Sequence, residues 1–353
     1  MWKQFETLRT EFRNFRALGA GLTQVNSPPP VVVGEVRQHR EGAKGETFDK
    51  RRRPGKLSRD RFLILAMLPG LALLLTFHYL PLLGNVIAFK DFQPYLGLVD
   101  SPWNGLANFR VLVEGDPYFL NALQNTIVIM MLQILVVFTV PIGLALLLDS
   151  LLSERLKRAV QTVLYLPHFL SWVIVIAIFN ELLGGSGPLN SFLRRHDLGT
   201  LDIVGNAAVF KELVTGQVLW KEAGWAMILF LAALSRIDPH LYEASAVDGA
   251  GRWRRMWHIT LPGLRPVIVL LLILRLGDAL SVGFEQFLLQ RDAVGRQAAE
   301  VLDTFVYFQA ITTGDYGLCA AAGLFKAVVG LILILLANKL AHAIGEQGVY
   351  SRT

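Results

Sequence analysis

Ionisable side chains stand inside runs that are otherwise apolar, and Glu222, Arg275, Asp278 and Lys326 among them fall deepest. A charge held in hydrocarbon costs about 3 kcal/mol on insertion scales, so such groups face a bundle interior or a watery path, where they pair with one another or meet a polar cargo. Trp172, Trp225 and Tyr316 lie in or beside the same runs, as does Trp220. Sugar rings present C–H faces that stack on indole and phenol, while their hydroxyls find charged or amide partners. Asn121, Gln124, Asn125 and Gln133 add amides that either line a path or bond to neighbouring helices, and His168 after Pro167 reads as a histidine of the bundle interior. Groups for covalent or metal chemistry are missing. There is no Gly-x-x-x-x-Gly-Lys-Ser/Thr, no His-Glu-x-x-His and no Gly-x-Ser-x-Gly. The single Cys319 builds neither an internal disulfide nor a thiolate metal site. No metal site is expected. A membrane glycosyltransferase would need paired carboxylates on a sizeable extramembrane domain, which the loops do not supply.

The elements that must position these residues are membrane spans. The 353 residues are 53% hydrophobic and 18% charged, with a mean hydropathy of +0.44; such a balance excludes a soluble enzyme and a long disordered chain. Crossing a bilayer takes about 20 apolar residues, and six runs qualify: 62–89, 122–148, 159–180, 217–235, 264–282 and 318–342. The net charge of +6 is read as the retention signal of the cytoplasmic face and not as a nucleic-acid surface. The basic connections 149–158 and 236–265 should be cytoplasmic; the loops 91–118, 181–211 and 285–315 should face outside. Both termini then fall on the cytoplasmic side.

Three segments follow from this. Residues 1–60 should be a cytoplasmic region: Trp2, Phe5, Leu8, Phe12 and Phe15 recur at helical spacing among basic residues, describing an amphipathic helix for the lipid headgroup region or for a partner. Pro28, Pro29 and Pro30 then open a linker ending in the basic run 50–53, an anchor for anionic lipid. Residues 61–345 should be the transmembrane domain, and 346–353 a cytoplasmic tail.

Between the fourth and fifth runs, Asp238 is a good N-cap and Pro239 suits the first helical position. Asp248-Gly249 should end that helix, because glycine accepts the left-handed conformation. A second short helix should follow and be stopped by Pro262. Two short helices give a knob that can enter a cleft on a soluble partner. The run Glu243-Ala244-Ser245 with Asp248-Gly249-Ala250, then Leu261-Pro262 and Pro266, resembles the EAA loop of binding-protein-dependent ABC importer permeases. The resemblance covers most of 62–353. Phe89-Lys90-Asp91-Phe92, Ser101-Pro102-Trp103, Gly105-Leu106-Ala107-Asn108-Phe109, Gly283-Phe284-Glu285-Gln286 and Gly323-Leu324-Phe325-Lys326 are similar to its oligosaccharide and polysaccharide branch.

The resemblance implies an all-α, six-helix type I ABC importer permease of the bacterial inner membrane. Its loop at 238–266 is the coupling helix docked on an ATPase. It further implies a second homologous permease, two ATPase subunits that bind ATP and Mg, a soluble sugar-binding protein and a saccharide substrate. No cofactor belongs to this chain. A self-sufficient ion-coupled transporter, with Asp278 or Glu222 as proton site, is the alternative; it leaves the coupling loop unexplained.

Helix rise is about 1.5 Å per residue, which puts Arg275 and Asp278 roughly 15 to 20 Å above Pro266. Glu222 and Lys326 fall near the same depth, the midplane of a core roughly 30 Å thick. Two readings stand: interhelical ion pairs that fix the helices, or a sugar-lining set. Basic residues at that depth suit an acidic glycan such as alginate, because guanidinium pairs bidentately with carboxylate. Neutral glycans fit nearly as well.

Overall fold

The computed structural model describes residues 56–114, 116–346 and 348. The expected N-terminal amphipathic helix, the proline linker, the basic run at 50–53 and nearly all of the tail lie outside these residues. Two units are distinguished, residues 1–66 and 67–353. Of the first, only the start of the Lys56–Leu74 helix is described; the second is helical throughout, with one isolated bridge between Lys90 and Trp103.

Six stretches are long and apolar enough to cross a membrane: Leu63–Phe89, Pro117–Asp149, Trp172–Arg195, Phe210–Leu234, Arg252–Gly277 and Tyr316–Ala343. The Phe210–Leu234 helix is the axis of the bundle, half of its apolar window being buried by its neighbours. Toward one end its Phe210 and Val214 pack with Ile129, Phe287 and Val301. Toward the other, Met227, Phe230 and Leu234 pack with Ala145, Leu148 and Leu264. A third cluster gathers Phe119, Leu302, Phe305 and Leu318. Leu63–Phe89 has none of its apolar window buried, so lipid or another subunit must cover it.

Three expectations about the spans and one about a loop are corrected. The run 159–180 is not one helix. Residues Glu154–Tyr165 form an amphipathic helix, Leu166–Phe169 a 3-10 turn, and a new helix begins at Trp172. Pro167 lacks the N–H an α-helix would use there, and Leu170 is extended. Pro262, expected to stop a helix, lies inside one. A π-helical turn over Met256–Thr260, closed by the Leu261 N–H on the Met256 carbonyl, leads straight into Leu261–Gly277; the wider turn accommodates a residue that cannot donate. The fifth helix ends at Gly277 and not at Val282.

The stretch 285–315, expected as an external loop, is mostly helix. It comprises Phe284–Val294, Arg296–Ala299 and Leu302–Phe308. Phe287, Leu302 and Phe305 are fully buried. Part of the charge that made the stretch look like a loop is paired internally: Glu300 is buried and takes ion pairs from Arg291 at 3.2 Å and Arg296 at 2.9 Å, whereas Glu285 and Asp292 are exposed.

Candidate functional site

The connection at one end of the bundle is built from local signals. Asp238 caps the Pro239–Val247 helix by accepting the His240 N–H at 3.0 Å. The helix ends at Gly249, whose φ of 71° is a conformation a β-carbon disfavours. The chain then turns back, the Ala250 N–H donating to the Ser245 carbonyl at 2.9 Å. Ser245 gives its hydroxyl to the Tyr242 carbonyl at 2.8 Å. Arg255 donates Nε to the Ala250 carbonyl at 2.8 Å, and the Tyr242 hydroxyl meets Thr260 Oγ1 at 3.0 Å, tying the knob to the root of the Leu261–Gly277 helix.

Neither Pro239–Val247 nor Arg252–Arg255 buries a residue. Glu243 is exposed and, among the described residues, pairs only with His240, at 3.2 Å, a contact that water largely screens. Leu241, Val247, Trp253 and Trp257 are exposed as well. An apolar surface with basic residues around it, on a compact projection, is a docking surface. Glu243, Ala244, Ser245, Asp248, Gly249 and Ala250 therefore stand together on the knob, and Leu261 and Pro262 at its base.

The second group of residues lies within the bundle. Lys221, buried, donates Nζ to the carbonyls of His168 at 2.6 Å and Leu170 at 2.8 Å. These carbonyls are orphaned by the break at Pro167, and the ammonium caps them. Glu222 lies 3.6 Å from Lys221 and 2.7 Å from His168 Nδ1. The His168 ring stacks on Trp225, with centroids 4.6 Å apart and planes 4° from parallel. Lys221 also lies over the Trp172 ring, at 5.7 Å. One node thus holds Trp172, Glu222 and Trp225 with His168 and Lys221. It presents a half-exposed indole beside a carboxylate, the pairing of flat face and acceptor that a sugar uses.

The four midplane charges are not one ion-paired cluster. Lys326 pairs with Asp303, and the Arg275 guanidinium donates to Gln133 Oε1, at the start of a π-helical turn in the second span. Asp278, at the C-terminal end of the Leu261–Gly277 helix, is exposed and has no ion pair within 4 Å among the described residues. Tyr316 meets the edge of Phe92, with centroids 6.1 Å apart. Reading the sequence missed Lys221, whose role depends on the broken third span, and Asp303, which sat in an expected loop. The proline at 167 was the available signal for the first; the second stands in the run Asp303-Thr304-Phe305-Val306-Tyr307, which resembles the same permease branch but gives no sign of a pair with Lys326.

Residues 137–346 match the family described as binding-protein-dependent transport system inner membrane component. The polygalacturonan/rhamnogalacturonan transport system permease protein of Bacillus subtilis (strain 168) is 46% identical over 296 residues, 84% of this chain and 92% of the relative. Protein LplB of the same organism is 44% identical over 295 residues, 83% of this chain and 92% of the relative. The crystal structure of a bacterial alginate ABC transporter, in complex with a periplasmic protein bound to alginate pentasaccharide, contains a chain that superposes with a TM-score of 0.76. That chain is 35% identical, the match covering 83% of this chain and 98% of that one. The ion-coupled alternative finds no support in these likenesses.

Proposed function

The chain belongs to the binding-protein-dependent transport system inner membrane components, and from that membership we propose that it passes an oligosaccharide or polysaccharide, acidic in kind, through the membrane on energy supplied by ATPase subunits. It is a multi-pass ABC importer permease of carbohydrate type. The acidic cargo is proposed from two relatives, whose names specify polygalacturonan and alginate, and from the Arg275 guanidinium within the bundle.

The observation that carries the reading is the knob at 238–255, with no buried residue in its helices and a tie from Tyr242 to Thr260 at the root of the Leu261–Gly277 helix. A partner that closes around this knob moves the helix behind it. The knob is assigned to the cytoplasmic face, where ATP is, and so are both termini. Residues 61–345 are the permease domain, 1–60 a cytoplasmic extension and 346–353 a tail. A second, similar permease covers the exposed first span, and two ATPases take the knobs of the pair. A soluble binding protein delivers the sugar to the opposite end. The chain itself carries out no catalysis, and ATP and Mg belong to the ATPases.

In this reading Trp172, Glu222, Trp225, Arg275, Asp278, Tyr316 and Lys326 border the path. Trp225 and Glu222 offer stacking and hydrogen-bond acceptance at one level, and Arg275 offers a cation for a uronate carboxylate. ATP binding draws the two knobs together and opens the path outward; hydrolysis returns it inward. Copurification of the full operon product tests the assignment. The tagged chain should carry ATPase subunits with it through detergent extraction, and recovery of the chain alone would overturn the reading.

A further inference from the structure

At the end of the bundle opposite the knob, a polar cavity of about 500 Å³ opens between the second span, the start of Phe210–Leu234 and the segment after Val294. Asn121, Gln124, Asn125, Lys211, Arg296 and Gln297 line it. Its charge is unbalanced. Lys211 has no ion-pair partner among the described residues. Arg296 gives Nε to Glu300 at 2.9 Å, but the same carboxylate oxygen also takes Arg291 at 3.2 Å, so one carboxylate serves two guanidinium groups.

The Arg296 guanidinium carbon lies over the Tyr118 ring, 3.9 Å from its centroid, and its bond to Glu300 uses Nε, leaving its terminal nitrogens for a ligand. Asn121 and Asn125 both donate Nδ2 to the Gln297 carbonyl at 2.9 Å, leaving their carboxamide oxygens as acceptors. Two cations for a carboxylate and amide oxygens for hydroxyls make a set matched to a uronic acid residue. Lys211 also lies along the same helix face as Glu222, about three turns or roughly 16 Å farther from the knob.

We propose that this cavity is an outer station of the path, holding the carboxylate of one sugar unit before the chain of sugars reaches the level of Glu222 and Trp225. The station rests on the saccharide-import reading above, and its test separates the two. In the complete complex with partner permease, ATPases and binding protein, acetylation of Lys211 by an N-hydroxysuccinimide ester is followed by peptide mass spectrometry. Tetragalacturonate should slow the labelling about fivefold, and its fully methyl-esterified counterpart should not.

Protection without any uronate transport would leave the station standing and remove the import reading. Uronate transport without protection would overturn the station alone, and equal protection by both sugars would overturn it as well. In proteoliposomes, Lys211→Gln should raise the half-saturating concentration about fivefold for the acidic sugar only. Lys211 makes no structural pair, so the variant folds. An equal rise for the neutral ester would mark the cavity as a seat for the binding protein, and an unchanged acidic transport would refute the proposal outright.

Discussion

From Pro239 to Arg255 neither short helix buries a side chain, and the knob keeps its shape through contacts a few residues apart, such as Ser245 to Tyr242 and Ala250 to Ser245. Around Lys221 the situation is reversed: its partners at His168 and Leu170 are 53 and 51 residues away in the chain. The knob is a self-contained body, joined to the bundle by Tyr242 on Thr260 and by the continuous Arg252–Gly277 helix, and can be gripped and moved as a unit. The node at Lys221 is a weld between the central helix and the 166–170 turn, and it holds the break that Pro167 makes. A permease needs both kinds of construction, a lever that keeps its form when displaced and a bundle that converts the displacement into a change along the path.

The largest expected effect comes from breaking the lever. Gly249→Pro fixes φ near −65° where the chain needs a positive angle, and sugar-stimulated ATP hydrolysis of the reconstituted complex should fall to the unstimulated rate. Membrane insertion and bundle stability should stay as in the parent, because nothing in the knob is core. Glu243→Lys should act in the same direction by reversing charge on the docking face. A Gly249→Pro complex with full stimulation would mean that the knob is not the lever.

Breaking the weld should do the opposite. Lys221→Met leaves two part-buried carbonyls uncapped and Glu222 without its neighbouring cation, a loss of about 2 kcal/mol that should appear as a lower melting temperature in detergent. A second break is steric. A Cβ on Gly224 would lie 2.0 Å from the Leu164 carbonyl oxygen, so Gly224→Val should push the Glu154–Tyr165 helix away and lower the yield of folded protein. Unchanged melting in both variants would remove the weld from the comparison.

The path itself is sharpened by Arg275→Gln. Arg275 donates to an amide, with the carboxylates of Asp278 and Glu222 in electrostatic reach, and in the proposed path it is the guanidinium that meets a uronate carboxylate. Transport of a uronate oligomer should fall about tenfold, well beyond any fall in basal ATP hydrolysis. Lys326→Gln is the less informative partner variant, since it also breaks the pair with Asp303. The smallest expected effect is that of Tyr242→Phe, which removes one hydrogen bond at the base of the knob. It should cost about 1 kcal/mol and weaken coupling, read as fewer sugars moved per ATP, without abolishing it.

The residue pattern alone carried the number of crossings and the knob with its N-cap at Asp238 and its turn at Gly249. These depend on hydropathy over about 20 residues or on backbone rules that act within a turn or two, whereas the family came from the resemblance of the 243–262 run to a known loop. Misplaced features were those where a local rule has two outcomes. Pro262 could stop a helix or be absorbed by a π-helical turn, and the continuous helix settled it. The charges at 285–315 could face water or one another, and burial of Glu300 between Arg291 and Arg296 made the segment part of the core. The pairing of Lys221 with the broken third span, of Lys326 with Asp303 and of Arg275 with Gln133 was decided by tertiary structure alone. A charge buried in a bundle takes whichever partner the packing of distant helices brings within about 3 Å, and that distance is not written in the sequence on either side of it.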